Sequence, residues 1–140
     1  MSETFPQEND PKIQEYRRFV LNRECTKEEE IRVRLDHSIT GMVTEAGELS
    51  DLMKKIKFYK ASIPRIKFLD EMADQLHYLV MGMNALNVSF EDLMRLNMAK
   101  LRARSPNGFT PETAINKDKT KEQKAIESEM EDKGEKISNE

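Results

Sequence analysis

Cysteine occurs once, at Cys25, so the chain can close no disulfide on itself. Its neighbours in sequence are charged, with no catalytic partner beside it, and the residue reads as incidental in a reducing cytoplasm. Tryptophan is absent, aromatics make up 6% of the chain, and glycine and proline number five each. With so few turn formers and β-preferring residues, and no apolar–polar alternation, a sheet has little to be built from. Long apolar runs are missing too, and none approaches the ~20 residues of a membrane-spanning helix. The opening MSETFPQENDPK is polar and acidic, without the basic and apolar parts of a signal peptide. No single sign of charge dominates either: the net charge is −3, spread along the chain, where a nucleic-acid binder would carry a basic face.

What is present favours helix. Charged residues are 35% of the 140-residue chain and apolar ones 37%, rich in Glu, Lys, Leu, Met and Arg. The expectation is an all-α chain with one domain over residues 10–116, a flexible arm before it (1–9) and a charged tail after it (117–140), partly helical or disordered. Asp10-Pro11 is an N-cap followed by proline at the first helical position, and Ile13, Tyr16, Phe19 and Val20 follow at helical spacing to about Arg23. Thr26 and Glu29 form a capping-box pattern that predicts a long second helix from Lys27. It runs through Gly41 until Ile63-Pro64 stops it. A third helix, about Arg65 to Leu86, is apolar nearly all round and reads as central and buried. Ser89, with Asp92 three residues on, caps a fourth, which Ser105-Pro106-Asn107-Gly108 ends. The tail can hold a short helix around Lys119 to Met130.

The chemistry lies in two acidic pairs, Glu45 with Glu48 and Glu71 with Asp74, each at i,i+3 spacing on consecutive helices. One such pair in so charged a chain is ordinary solvated surface. Two pairs are different, because side chains three apart are neighbours on a helix and antiparallel helices can turn all four acids to one point. On a wheel of ~100° per residue, Glu45 and Glu48 border the apolar arc of Leu35, Ile39, Met42, Ala46, Leu49, Met53 and Ile56 rather than oppose it. His37, Gly41, Leu52 and Lys55 share their flank, and Tyr78 shares the face of Glu71 and Asp74. Acids brought together repel and raise one another's pKa, which a hard cation such as Mg²⁺ relieves while keeping positions open for phosphate and water. A di-iron carboxylate site would want Glu-x-x-His, and neither His37 nor His77 supplies it. On the fourth helix, Asn97, Lys100 and Arg104 line one stripe of polar donors.

GMVTEAGELSDLMKK, EMADQLHYL and NMAKLRARSPNGF together resemble the MazG-like family of all-α nucleoside triphosphate pyrophosphohydrolases, over roughly His37 to Asp118. The likeness is to the small single-domain versions common in bacteriophages. Where the family often has E-L-G-D, this chain has Glu71-Met72-Ala73-Asp74, which keeps both acids and bears on local helix packing. The resemblance implies a four-helix MazG-like bundle with a long second helix, assembled as a homodimer or dimer of dimers. It implies hydrolysis of a (deoxy)nucleoside triphosphate to monophosphate and pyrophosphate by metal-activated water attacking the α-phosphate. Glu45, Glu48, Glu71 and Asp74 would be the ligands of Mg²⁺, with Mn²⁺ as a substitute. Lys100 and Arg104 would contact the phosphates, with Asn97 near the phosphates or sugar and Lys55 and Tyr78 as further substrate contacts. Glu48, furthest from the apolar arc, is the choice to position or deprotonate the water. No membrane or nucleic-acid partner is expected, and the compartment would be the cytoplasm, the host's if the chain is phage-encoded. Two other readings stand: pyrophosphohydrolysis of another nucleotide such as phosphoribosyl-ATP, and a non-catalytic helical interaction module, suggested by the nine Met and the charged tail.

Overall fold

Helix α1 (Pro11–Leu21) begins as its cap chemistry dictates: the Asp10 side chain accepts from the Lys12 N–H, and Pro11 occupies the first position, where no N–H is needed. The computed structural model describes residues 6–130 and 136–138. Within them the chain continues through α2 (Ile31–Tyr59), α3 (Arg65–Leu86), α4 (Phe90–Arg104), α5 (Pro111–Ile115) and α6 (Lys119–Glu129), with no strand. The fold is all-α. All four expected helices are there, α2 is the longest, and α6 matches the tail helix read from the sequence. The first residues of the expected arm and the end of the tail lie outside the described residues.

Two boundaries moved for identifiable reasons. Helix α2 starts at Ile31, not Lys27, because the Thr26 hydroxyl is spent elsewhere: it donates to Glu24 Oε1 at 3.3 Å and lies 3.3 Å from His37 Nδ1. The capping box read there does not form. Glu24, itself buried, accepts instead from the Arg34 fork at 2.6 and 2.9 Å, tying the α1–α2 connection to the first turns of α2. At its other end α2 stops at Tyr59, short of Pro64. Lys60 enters the left-handed region at φ 56°, and the Ala61 N–H returns to Lys55 O at 3.1 Å. By contrast, Ser89 and Asp92 exchange both hydrogen bonds of a capping box at 3.0 Å, as expected.

The described chain divides into two compact units, the first running through Asn87 and including Ile137 and Ser138, the second Val88–Lys136. In the first, α2 packs along α3 and α1 lies on α3. Its core is Val20, Leu52, Val80, Met81 and Met83, around a fully buried Arg17. Arg17 Nε donates to Asn84 Oδ1 at 2.9 Å and Arg17 also pairs with Glu8, so burial of its charge is matched by partners. Only the C-terminal half of α3 is buried. Ile66, Leu69, Met72, Leu76 and Leu79 remain exposed in this single chain, so α3 is not the wholly buried central helix its composition suggested. In the second unit α6 packs on α4.

Candidate metal centre and active site

Two small residues set how closely α2 and α3 approach. Ser38, fully buried on α2, donates from its hydroxyl to Tyr78 O of α3 at 2.7 Å. A Cβ on Gly82 would come within 2.5 Å of that hydroxyl oxygen, and a Cβ on Gly41 would lie 2.1 Å from Tyr78 Cδ1. The Tyr78 ring therefore lies against the bare backbone of Gly41, with His37 and His77 packed edge-on at 5.9 and 5.3 Å between centroids. Gly41 is required by that crossing, not merely tolerated inside a helix. Sequence periodicity could not find this, because the requirement comes from the opposite helix.

The crossing fixes the register of the acids. One turn beyond Gly41 on α2 stands Glu45, and one turn before Tyr78 on α3 stands Asp74, with Glu71 a further turn away. Glu45, Glu71 and Asp74 each turn a carboxylate oxygen to within 4.8 Å of the others. Glu45 and Glu71 are half-buried and Asp74 is exposed. Among the described residues none of the three has an ion pair with a Lys, Arg or His. Loss of solvent pushes the Glu71 carboxyl above its ordinary range, and the charges of Asp70, Glu48, Glu45 and Asp74 push it the same way. Glu48 is exposed and stands outside the converging trio, close enough for its charge to be felt at Glu71. The sequence reading missed Tyr16 of α1. Burial, and then the charge of Asp74, push its hydroxyl above the ordinary tyrosine range. Its only sequence signal was a place on the apolar stripe of α1.

The donor set fits a hard divalent cation: oxygens only, three carboxylates from two rigid helices, and like charges that no cation among the described residues pairs with. Lys55, read as a substrate contact, is 2.6 Å from Asp51 one turn back on its own helix. Asp51 also takes Lys54 at 2.6 Å, and these lysine hydrogen bonds hold its carboxyl down at about 2.

Within the second unit, Asn97 is exposed and Lys100 half-buried on α4. Arg104 is engaged: its Nε and Nη2 donate to the two carboxylate oxygens of Glu122 on α6, at 2.7 and 2.9 Å. That hydrogen bonding holds the Glu122 carboxyl below its ordinary range, with the charges of Arg104, Lys119 and Lys100 acting alike. Arg104 also borders a cavity of about 340 Å³, whose lining is completed by Leu101, Arg102, Ser105, Gly108, Phe109 and Ala114. Gly108, at φ 94°, makes the turn that brings Phe109 to its rim.

No curated protein and no solved structure matches the chain. A family model does, the MazG nucleotide pyrophosphohydrolase domain, over residues 35–109. That span holds all four acids together with Asn97, Lys100 and Arg104, and takes in just over half of the sequence. No described helix is long and apolar enough to cross a membrane. With its all-helical build and its acidic cluster inside the matched span, the chain belongs to the MazG nucleotide pyrophosphohydrolase domain family.

Proposed function

We propose that this chain hydrolyses a (deoxy)nucleoside triphosphate to its monophosphate and pyrophosphate, with Mg²⁺ at the acidic cluster. The observation that carries the reading is the convergence of Glu45, Glu71 and Asp74, uncompensated by any described protein cation, inside the family's span. Bound there, a divalent ion would neutralise phosphate charge and make hydroxide available near neutral pH. The chain's own part is to hold three carboxylates on two helices locked at Ser38–Tyr78 and Gly41–Tyr78, so that their oxygens need not be gathered when substrate arrives. Glu48, outside the trio and open to solvent, is left to orient the attacking water and take its proton. Lys100 and Arg104 are assigned to the phosphates, a point charge and a planar fork, with Asn97 beside the phosphates or sugar. No Gly-rich phosphate loop and no covalent nucleophile is required.

A second copy of the chain would cover the apolar residues left open along α2 and α3, among them Ile39, Val43, Met53, Met72 and Leu76. The family's assembly as a homodimer or dimer of dimers gives the same reading. The test is product analysis of the purified chain with the common ribo- and deoxynucleoside triphosphates, with Mg²⁺ and with EDTA. Monophosphate and pyrophosphate appearing only with metal is the expected result, and the rate ranking names the base and sugar. If no nucleotide is turned over, modified and histidine-pathway nucleotides included, the catalytic reading is lost.

A further inference from the structure

On α6 the exposed face is Lys, Glu and Gln, and one carboxylate, Glu122, is turned inward until the residue is 3% exposed. A carboxylate is buried at a cost unless a cation meets it, and here Arg104 meets it with both members of one edge of its guanidinium. That edge presents the same pair of parallel N–H donors a phosphate would use. Lys100, on the same stripe of α4, adds its charge to the field at that carboxylate, while the hydrogen bonds come from Arg104 alone. Arg104 also borders the cavity of about 340 Å³, so its guanidinium is not sealed in on every side.

We propose that Glu122 is a built-in competitor for phosphate at Arg104, so that engagement of substrate phosphate by Arg104 and closure of the α4–α6 clasp exclude one another. This rests on the reading above, in which Arg104 serves the substrate phosphates. The clasp is built to open. Helix α6 has 11 residues, too short to be stable alone in water, and its other inward residues, Ala125, Ile126 and Met130, are only half-buried. Once Arg104 turns to a phosphate, Glu122 cannot stay inside without a partner and must reach water, carrying α6 with it. Substrate binding therefore loosens α6, and α6 in turn weakens substrate binding.

The test uses the full chain with Mg²⁺, after turnover of one nucleoside triphosphate by the wild type has been established. Glu122→Gln keeps the shape and removes the charge. Because the Arg104 side chain keeps 19% exposure beside a buried Glu122, solvent screens the pair in part, and the expected fall in KM is about fivefold, with kcat little changed. Glu127→Gln, on the exposed side of the same helix, should leave KM where it was. In the wild type, hydrogen exchange of residues 119–129 is followed with and without a saturating α,β-imido analogue of that nucleotide, and the amides should exchange faster with it bound. An unchanged or raised KM in a folded Glu122→Gln chain, or α6 amides equally or better protected with the analogue bound, overturns the proposal and makes the Arg104–Glu122 pair a plain structural clasp. Should Glu122→Gln fail to fold, the wild-type exchange result decides alone. A wild type that neither turns over nor binds nucleotides removes the functional reading itself, and this one with it.

Discussion

Glu71 on α3 and Glu122 on α6 are the same side chain on the same kind of element, yet their surroundings differ in sign. Around Glu71 stand Asp70, Glu48, Glu45 and Asp74, and its carboxyl is pushed up, first by lost solvent and then by those charges. Around Glu122 stand Arg104, Lys119 and Lys100, and its carboxyl is pulled down, chiefly by the arginine's hydrogen bonds. Both belong to a chain with 26 acids and 23 Lys and Arg, so cations were available for either. The first unit leaves its acids without one where α2 and α3 converge, while the second matches its acid fully. Asp51 shows that the first unit also pairs acids elsewhere, taking two lysines on the same helix that carries Glu45. On the proposed reading, an acid cluster kept apart from nearby lysines is where a cation from solution would bind.

The sharpest way to break this contrast is Glu71→Gln. Changing a residue that merely orients a metal ligand costs roughly 10–100-fold in activity, and a ligand itself should cost at least that in kcat. The fold should survive, since the change relieves repulsion, and circular dichroism should be unaltered. Near-normal turnover would take Glu71 out of the metal site. Next in size is Gly41→Ala. With its new Cβ 2.1 Å from the Tyr78 ring, either the ring or the helices must give way, at about 1–3 kcal/mol. The melting temperature should fall, and Mn²⁺ affinity should fall with it as the acids lose register. Gly47→Ala, two turns on with nothing within 4 Å of its Cβ, should instead gain about 0.4–1 kcal/mol. If both substitutions behaved alike, the α2–α3 crossing would not be what positions the carboxylates.

Much of this was legible beforehand. Local signals placed α1, α3 and α4 nearly to the residue, because Asp10-Pro11, Pro64 and Ser89 act on their own neighbours. The start of α2 failed for a tertiary reason: Thr26 had a better use at Glu24 and His37 than the cap its spacing offered. The wheel put Glu45 at the edge of an apolar arc, but the surface that packs on α3 runs through Ser38, Gly41 and Leu52, so much of the arc, Ile39 and Met53 included, stays open. Two of the cations read as substrate contacts, Lys55 and Arg104, hold acids here, at Asp51 and Glu122. Pairing across 18 residues of sequence leaves no periodic trace, and the tail offered no reason to favour Glu122 over its other acids.

Lys100→Ala probes the second unit more gently. It should mainly raise KM, a few-fold, because loss of one phosphate contact of point-charge type removes attraction without disturbing the carboxylates. An unchanged kcat/KM would make Lys100 an ordinary solvated lysine.

Smallest, and most direct as a comparison, is the response of metal-free protein to pH. Glu71, raised in the folded chain, favours the neutral form. Its contribution is complete below the ordinary value of 4.5 and is lost as pH climbs through the higher folded value. Glu122, lowered in the folded chain, contributes fully above 4.5, and that contribution is lost as pH falls through the lower folded value. The two windows lie on opposite sides of 4.5. Acidifying from neutrality should therefore first raise the melting temperature slightly and then, below that point, lower it. Glu71→Gln should flatten the upper limb alone and Glu122→Gln the lower one alone. Saturating Mg²⁺ throughout the titration should abolish the upper limb, since the cation then does for Glu71 what Arg104 already does for Glu122. An upper limb untouched by Glu71→Gln would mean that the repulsion among these acids is relieved by water, and the difference between the two carboxylates would be one of exposure alone.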